Sequence, residues 1–193
     1  MRRLAILTGA VLLLFTVASH AQNSGIKAID TVLVQGKASI GTKAPLGWTP
    51  VRNPMNLGIC VAYVLKGHGF DDSPSVIYPR LVSGRTIEDL VRESADHLKR
   101  SSPIFRLEKK KDYRSKQGVS FAVRHFLNGP APNRFEAVGY HAYKGQLLII
   151  VFSNIERKDF DKNIAAFYAA LDRVTPYSSE INALSGACLV PKN

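Results

Sequence analysis

The sequence predicts an α+β fold, an antiparallel β-sheet of about six to seven strands packed between amphipathic helices. Three observations predict it. Residues 118–153 read as three consecutive strands, joined by the turn formers Asn128-Gly129-Pro130 and Lys144-Gly145. The last of these strands, Gln146-Leu147-Leu148-Ile149-Ile150-Val151-Phe152-Ser153, is apolar on both faces. A strand covered on one side only would alternate, so this one needs cover on two. Two segments with helical apolar spacing supply that cover, one before the ladder and one directly after it.

The N-terminus reads as a secretory signal peptide over residues 1–21. Arg2 and Arg3 form the basic start, Leu4 to Val17 is mostly apolar, and Ser19-His20-Ala21 offers small residues for cleavage after Ala21. The apolar run is short of the roughly 20 residues a membrane span needs. A periplasmic or secreted protein is expected. Removing the signal leaves 172 of the 193 residues and lowers the net charge from +11 to +9. That length fits one domain, residues 22–177, followed by a tail over 178–193. A basic surface often marks a nucleic-acid binder. An exported chain meets little nucleic acid, so an acidic partner or an anionic envelope surface fits better, beside plain solubility.

Two cysteines are present, Cys60 and Cys188. In an oxidising compartment an even count favours a disulfide. The bridge would staple the C-terminal tail to an early strand. Its long loop is worth roughly 4–5 kcal/mol at most in the chain-entropy model.

Taken in order, residues 22–28 are a polar leader and residues 29–34 a first short strand. Residues 36–50, rich in Gly, Pro, Thr and Lys, read as a loop, with the single Trp48 as a structural plug. Residues 59–65 are β-branched and aromatic, a strand. Residues 66–74 form a loop. Residues 75–82 are a further strand, which Pro79 places at a sheet edge or on a bulge, because it has no amide donor. Thr86 is the N-cap of a helix, with Asp89 in the capping-box position. Ile87, Leu90, Val91, Ala95 and Leu98 fall on one stripe, and Ser101-Ser102-Pro103 ends it. Residues 104–113 are a strand with a basic end. After the ladder, Phe160, Ile164, Phe167, Leu171 and Val174 define a second helix over residues 158–174, stopped by Pro176.

No nucleophile elbow, phosphate-binding loop or dinucleotide fingerprint is present. The histidines lack metal-ligand spacing, and no cofactor is expected. His125 and His141, on strands, are expected to be half-buried and hydrogen-bonded. The best local candidate is the loop Gly67-His68-Gly69-Phe70-Asp71-Asp72, where His68, Asp71 and Asp72 would bind a ligand or a cation for a small metal-dependent hydrolase. Its residues equally form an ordinary turn. The second candidate is the basic run Lys109, Lys110, Lys111, Arg114 and Lys116. On a hairpin tip it would meet an anionic envelope surface; along an edge strand it would discourage aggregation.

The order of elements and the segments Val76-Ile77-Tyr78-Pro79, Thr86-Ile87-Glu88-Asp89-Leu90, Ile149-Ile150-Val151-Phe152-Ser153 and Phe167-Tyr168-Ala169-Ala170-Leu171 resemble the PsbP-like family over residues 48–177. That grouping holds extrinsic photosystem subunits, a Ran-binding eukaryotic branch and bacterial exported proteins. The resemblance implies a sheet between helices and action by binding rather than catalysis. It transfers no site residue, and neither photosystem nor Ran partner. The resulting expectation is an exported, non-enzymatic domain that binds an envelope protein or a small ligand.

Overall fold

The computed structural model describes residues 30–52, 54, 59–178 and 188–189. The signal peptide and its cleavage after Ala21 lie outside the described residues.

The core of the molecule is an eight-stranded antiparallel sheet. Its strands are β3 (Trp48–Arg52), β4 (Val61–Leu65), β5 (Ser75–Ser83), β6 (Arg106–Lys109), β7 (Tyr113–Arg114), β8 (Ser120–Leu127), β9 (Phe135–Tyr143) and β10 (Gln146–Asn154). They lie in the order β3-β4-β5-β10-β9-β8-β6, with β7 also on β8. The ladder has the expected register. Tyr143 lies opposite Gln146 and His141 opposite Leu148. Lys144 and Gly145 both take positive φ, 48° and 74°, as a two-residue hairpin turn with the right twist requires.

β10 is central and buried on both faces. Leu148, Ile150 and Phe152 join one core with Phe121, Val123 and Ala137; Leu147 and Val151 join another with Phe126, Val138 and Tyr140. Helix α2 (Arg157–Leu171) closes the first face with buried Phe160, Phe167, Ala170 and Leu171. It sits close to the sheet because position 139 is glycine. A Cβ there would stand 2.9 Å from Leu171 Cδ2. Trp48 is buried edge-on to Phe152, as the plug reading expected.

Helix α1 (Ile87–Ser101) lies over the second face. Thr86 caps it as expected, accepting the Asp89 amide at 3.1 Å. Asp89 is one methylene shorter than the usual glutamate. It takes the Thr86 hydroxyl at 2.7 Å, where a glutamate would reach back to the backbone amide. Ser102 ends the helix and ties it to the end of β8 by donating to the Asn128 carbonyl at 2.6 Å.

The sheet is larger than six to seven strands, and a second sheet was not foreseen. β1 (Thr31–Gln35), β2 (Ala38–Thr42), β11 (Thr175–Pro176) and β12 (Cys188–Leu189) form a four-stranded sheet in the order β11-β2-β1-β12. Its Leu33 and Ile40 enter the α2-side core. Tyr63 joins the two sheets by donating to Thr42 Oγ1 at 2.8 Å. Residues 36–50 are therefore not a loop, since they hold β2 and the start of β3. Two further differences concern β5 and the basic run. β5 is an interior strand, with Pro79 paired to Ile150. The β4 ladder ends at Ile77, two residues earlier, so the missing donor is tolerated. Lys109, Lys110 and Lys111 lie where the edge strand breaks between β6 and β7, both on β8, and not on a hairpin tip.

Cys60 is half-buried against the α2-side core, and among the described residues no cysteine is free. Cys188 pairs with Leu33 through the backbone. Its side chain is outside the described residues. A Cys60–Cys188 bridge predicts an unreduced mass about two hydrogens below the reduced one. Two thiols open to alkylation without reductant would contradict it.

Candidate functional site

The two faces of the sheet are closed unequally. α2 buries four side chains completely enough to seal its face, whereas no residue of α1 is buried. The stripe explains the difference. Leu90, Ser94 and Leu98 follow one another at steps of four, and the middle position is a small polar residue. Under it opens a cleft of about 310 Å³. That lies within the range of small-molecule sites, roughly 300–1,000 Å³. Its floor is Tyr78 on β5, Phe126 on β8, Glu136, Val138 and Tyr140 on β9, and Val151 on β10. Leu90 and Ser94 form the roof, and exposed Arg80 stands on one side.

Glu136 is the unusual member. Alternation along β9 places it on the same face as Val138 and Tyr140. It faces Ser153 on β10 and Phe126 on β8. Burial pushes its carboxyl up to about 7, with a smaller opposing effect from Ser153. The Ser153 hydroxyl proton is directed elsewhere, to Asn133 Oδ1 at 3.0 Å. Among the described residues no cation pairs with Glu136, which is why desolvation dominates. Tyr78 and Tyr140 are both raised, first by burial and then by the Glu136 charge; Arg80 opposes this at Tyr78 and Arg124 at Tyr140. The cleft thus offers an aromatic and aliphatic floor, two phenols and a carboxyl balanced near neutrality.

The candidate residues of the 66–74 loop are only partly brought together. His68 Nδ1 lies 3.4 Å from Asp72 Oδ2, both on the surface. Asp72 also accepts the Gly69 amide at 2.6 Å, which is turn chemistry. Asp71 faces away, into a cavity of about 380 Å³ with Phe70, Pro132, Asn133 and Ile155. Among the described residues no three His, Cys, Asp or Glu side chains gather as a metal site. In the basic run, Lys110 pairs with Glu108 at 2.7 Å and Lys116 reaches Asp172 at 3.6 Å. Lys109, Lys111 and Arg114 are exposed along the edge.

The two strand histidines differ. His141 Nδ1 lies 3.0 Å from the Ser120 carbonyl, as expected. His125 Nε2, buried on the α2 side against Phe160, has no hydrogen-bond partner among the described residues. Burial, then Lys110, push His125 down to about 4.

Sequence reasoning missed Glu136. A signal was available: a lone carboxylate on the apolar face of a middle strand whose sheet demanded two-sided cover.

No family model and no curated protein matches this chain. Solved structures do. LpqN of Mycobacterium tuberculosis, described as involved in cell envelope biogenesis, is 12% identical, with 77% of this chain and 91% of that one covered and a TM-score of 0.50. The likeness is one of fold. Cyanobacterial PsbP (CyanoP) from Synechocystis is 13% identical, with 79% and 96% covered and a TM-score of 0.42. The Ran-binding protein Mog1p of Saccharomyces cerevisiae is 11% identical, with 76% and 95% covered and a TM-score of 0.41. Among the described residues no helix is long and apolar enough to cross a membrane.

The Glu136 carboxyl makes a signed prediction. Its folded value, about 7, lies above its ordinary 4.5. Below pH 4.5 both folded and unfolded states hold the proton and no penalty exists. As pH rises to 7 the unfolded state ionises first, so stability falls, by about 3 kcal/mol over the window. His125 acts in the opposite sense between 6.5 and about 4, and comparison with a variant at each pH cancels it. Glu136→Gln is expected to match the wild type near pH 4.5 and to exceed it at pH 8 by up to about 3 kcal/mol in urea unfolding. A difference that does not change with pH would contradict the placement of the carboxyl.

Proposed function

We propose that this chain is an exported, non-enzymatic binding module of the cell envelope that takes a small ligand between α1 and the sheet. The observation that carries the reading is the cleft itself, lined by apolar and aromatic side chains around one carboxyl that has no charged partner among the described residues. A few polar groups in an apolar concavity are the usual make-up of a ligand site. α1 is also the less firmly held of the two helices, since none of its side chains is fully buried.

Export rests on the basic start, apolar run and small residues of 1–21. A role in the envelope is supported by the fold likeness to LpqN, a protein described as involved in that process. The hydrolase reading draws less support, because His68 and Asp72 meet on the surface while Asp71 lines a separate cavity. A second reading, contact with an anionic envelope surface, is favoured by one observation: Lys109, Lys111 and Arg114 are exposed together along one sheet edge.

The test uses a neutral aromatic probe, N-phenyl-1-naphthylamine. It is expected to bind the whole protein saturably, one to one, and to shift the amide resonances of Leu90, Ser94, Val138 and Tyr140. Ser94→Trp, which fills the cleft from the half-exposed helix, is expected to abolish binding with the melting temperature held. Absence of saturable binding, or shifts confined to other elements, would overturn the assignment of this cleft as the ligand site.

A further inference from the structure

The polar groups around the cleft differ in reach, and this asymmetry selects a ligand class. At one end Glu136 faces Ser153 and Phe126 across the strands. Two rows along the sheet, Arg80 faces Ile149, which in turn faces Tyr140. Tyr78 and Val138, both opposite Val151, lie in the row between them. α1 turns Leu90 and Ser94 to the cleft and contributes no charge to its lining.

We propose that the ligand is a small organic cation, an amine with an apolar body, whose ammonium group is held by the Glu136 carboxylate. The proposal rests on the cleft being the ligand site. Four features carry it. The carboxyl is inside the cleft, and the ordinary internal solutions for a buried acid, a lysine or arginine partner or several donated hydrogen bonds, are missing among the described residues. A bound ammonium supplies both the charge and the donors. Tyr78 and Tyr140 place aromatic rings beside the same space, and a cation over a tyrosine face gains further attraction when desolvated. Phe126, Val138 and Val151 are suited to an aliphatic or aromatic body. Arg80, exposed and on the cleft's other side, repels a positive group there and so fixes the orientation, ammonium toward Glu136.

The charged and titratable groups facing this space are Glu136 itself, Tyr78 and Arg80 from β5, Arg124 from β8 and Tyr140 from β9. Burial keeps the phenols neutral across pH 6–8, and Glu136 titrates there. Binding an ammonium then displaces its proton. Affinity for a cation rises with pH, by about ten-fold from pH 6 to pH 8 for a carboxyl balanced at 7. A neutral ligand lacks this dependence.

The experiment compares three probes of one shape by amide-shift titration of the full mature protein: phenethylamine, 2-phenylethanol and 3-phenylpropionate. The expected order at pH 8 is amine, then alcohol, then carboxylate. The amine is expected to lose most of its advantage at pH 6 and in Glu136→Gln, while the alcohol is unchanged by either. Glu136→Asp, which keeps the charge but shortens the reach, is expected to retain the pH dependence with weaker binding. An alcohol that binds as tightly as the amine at pH 8, or a preference that survives Glu136→Gln, would overturn the cation assignment and leave the cleft as a site for neutral ligands. Failure of all three probes in a protein that binds N-phenyl-1-naphthylamine would overturn the cation assignment alone. Failure in one that does not would overturn both.

Discussion

The structure depends on one constraint: β10 is apolar on both faces and must be covered twice. Everything else follows from how the two covers differ. On one side α2 inserts Phe160, Phe167 and Leu171 into a core that also receives Trp48, Leu33 and Ile40 from outside the helix layer. Gly139 removes the side chain that would hold Leu171 away. Packing there leaves little freedom, as dense interiors generally do. On the other side α1 rests on half-buried Ile87, Leu90, Val91 and Leu98, with Ser94 between the leucines. The sheet is sealed on one side and carries an open cleft on the other.

Each face also holds a titratable group that burial pushes toward its neutral form. His125, on the sealed side, is kept neutral by burial and by the neighbouring Lys110. Glu136, on the open side, is pushed toward its neutral form by burial with no cation to oppose it. Burying a polar group is costly, so each needs a reason. For His125 the ring packs edge-on to Phe160 and serves the core. For Glu136 the surroundings include open volume, and the proposed ligand is the reason offered here.

How much of this was legible in the sequence varies by element. The β8–β9–β10 ladder was, down to its register, because Lys144-Gly145 specifies a two-residue turn and strand alternation does the rest. Both helices were, because their apolar stripes have a clear period and Thr86 marks a start. The small sheet was not. β2, Ala38-Ser39-Ile40-Gly41-Thr42, is made of small residues with no alternation, and β11 and β12 have two residues each. β11 and β12 exist only through partners far away in the chain, which local patterns do not encode. Pro79 misled because a missing donor excludes a ladder bond, not an interior strand whose other ladder has already ended. The site was less legible than the fold. Loops with histidine and paired aspartates attract attention, yet the cleft arises from a serine in a leucine stripe facing a glutamate on a distant strand. Each is unremarkable alone, and only the packing of α1 on β9 joins them.

Glu136 sits desolvated beneath α1, with no charged partner among the described residues. The most direct measurement is a carbon-detected NMR titration of the Glu136 side-chain carboxyl in the ligand-free protein. A midpoint near 7, well separated from the exposed carboxylates, is the predicted result. A midpoint near the ordinary 4.5 would show a solvated or paired carboxylate and contradict the account.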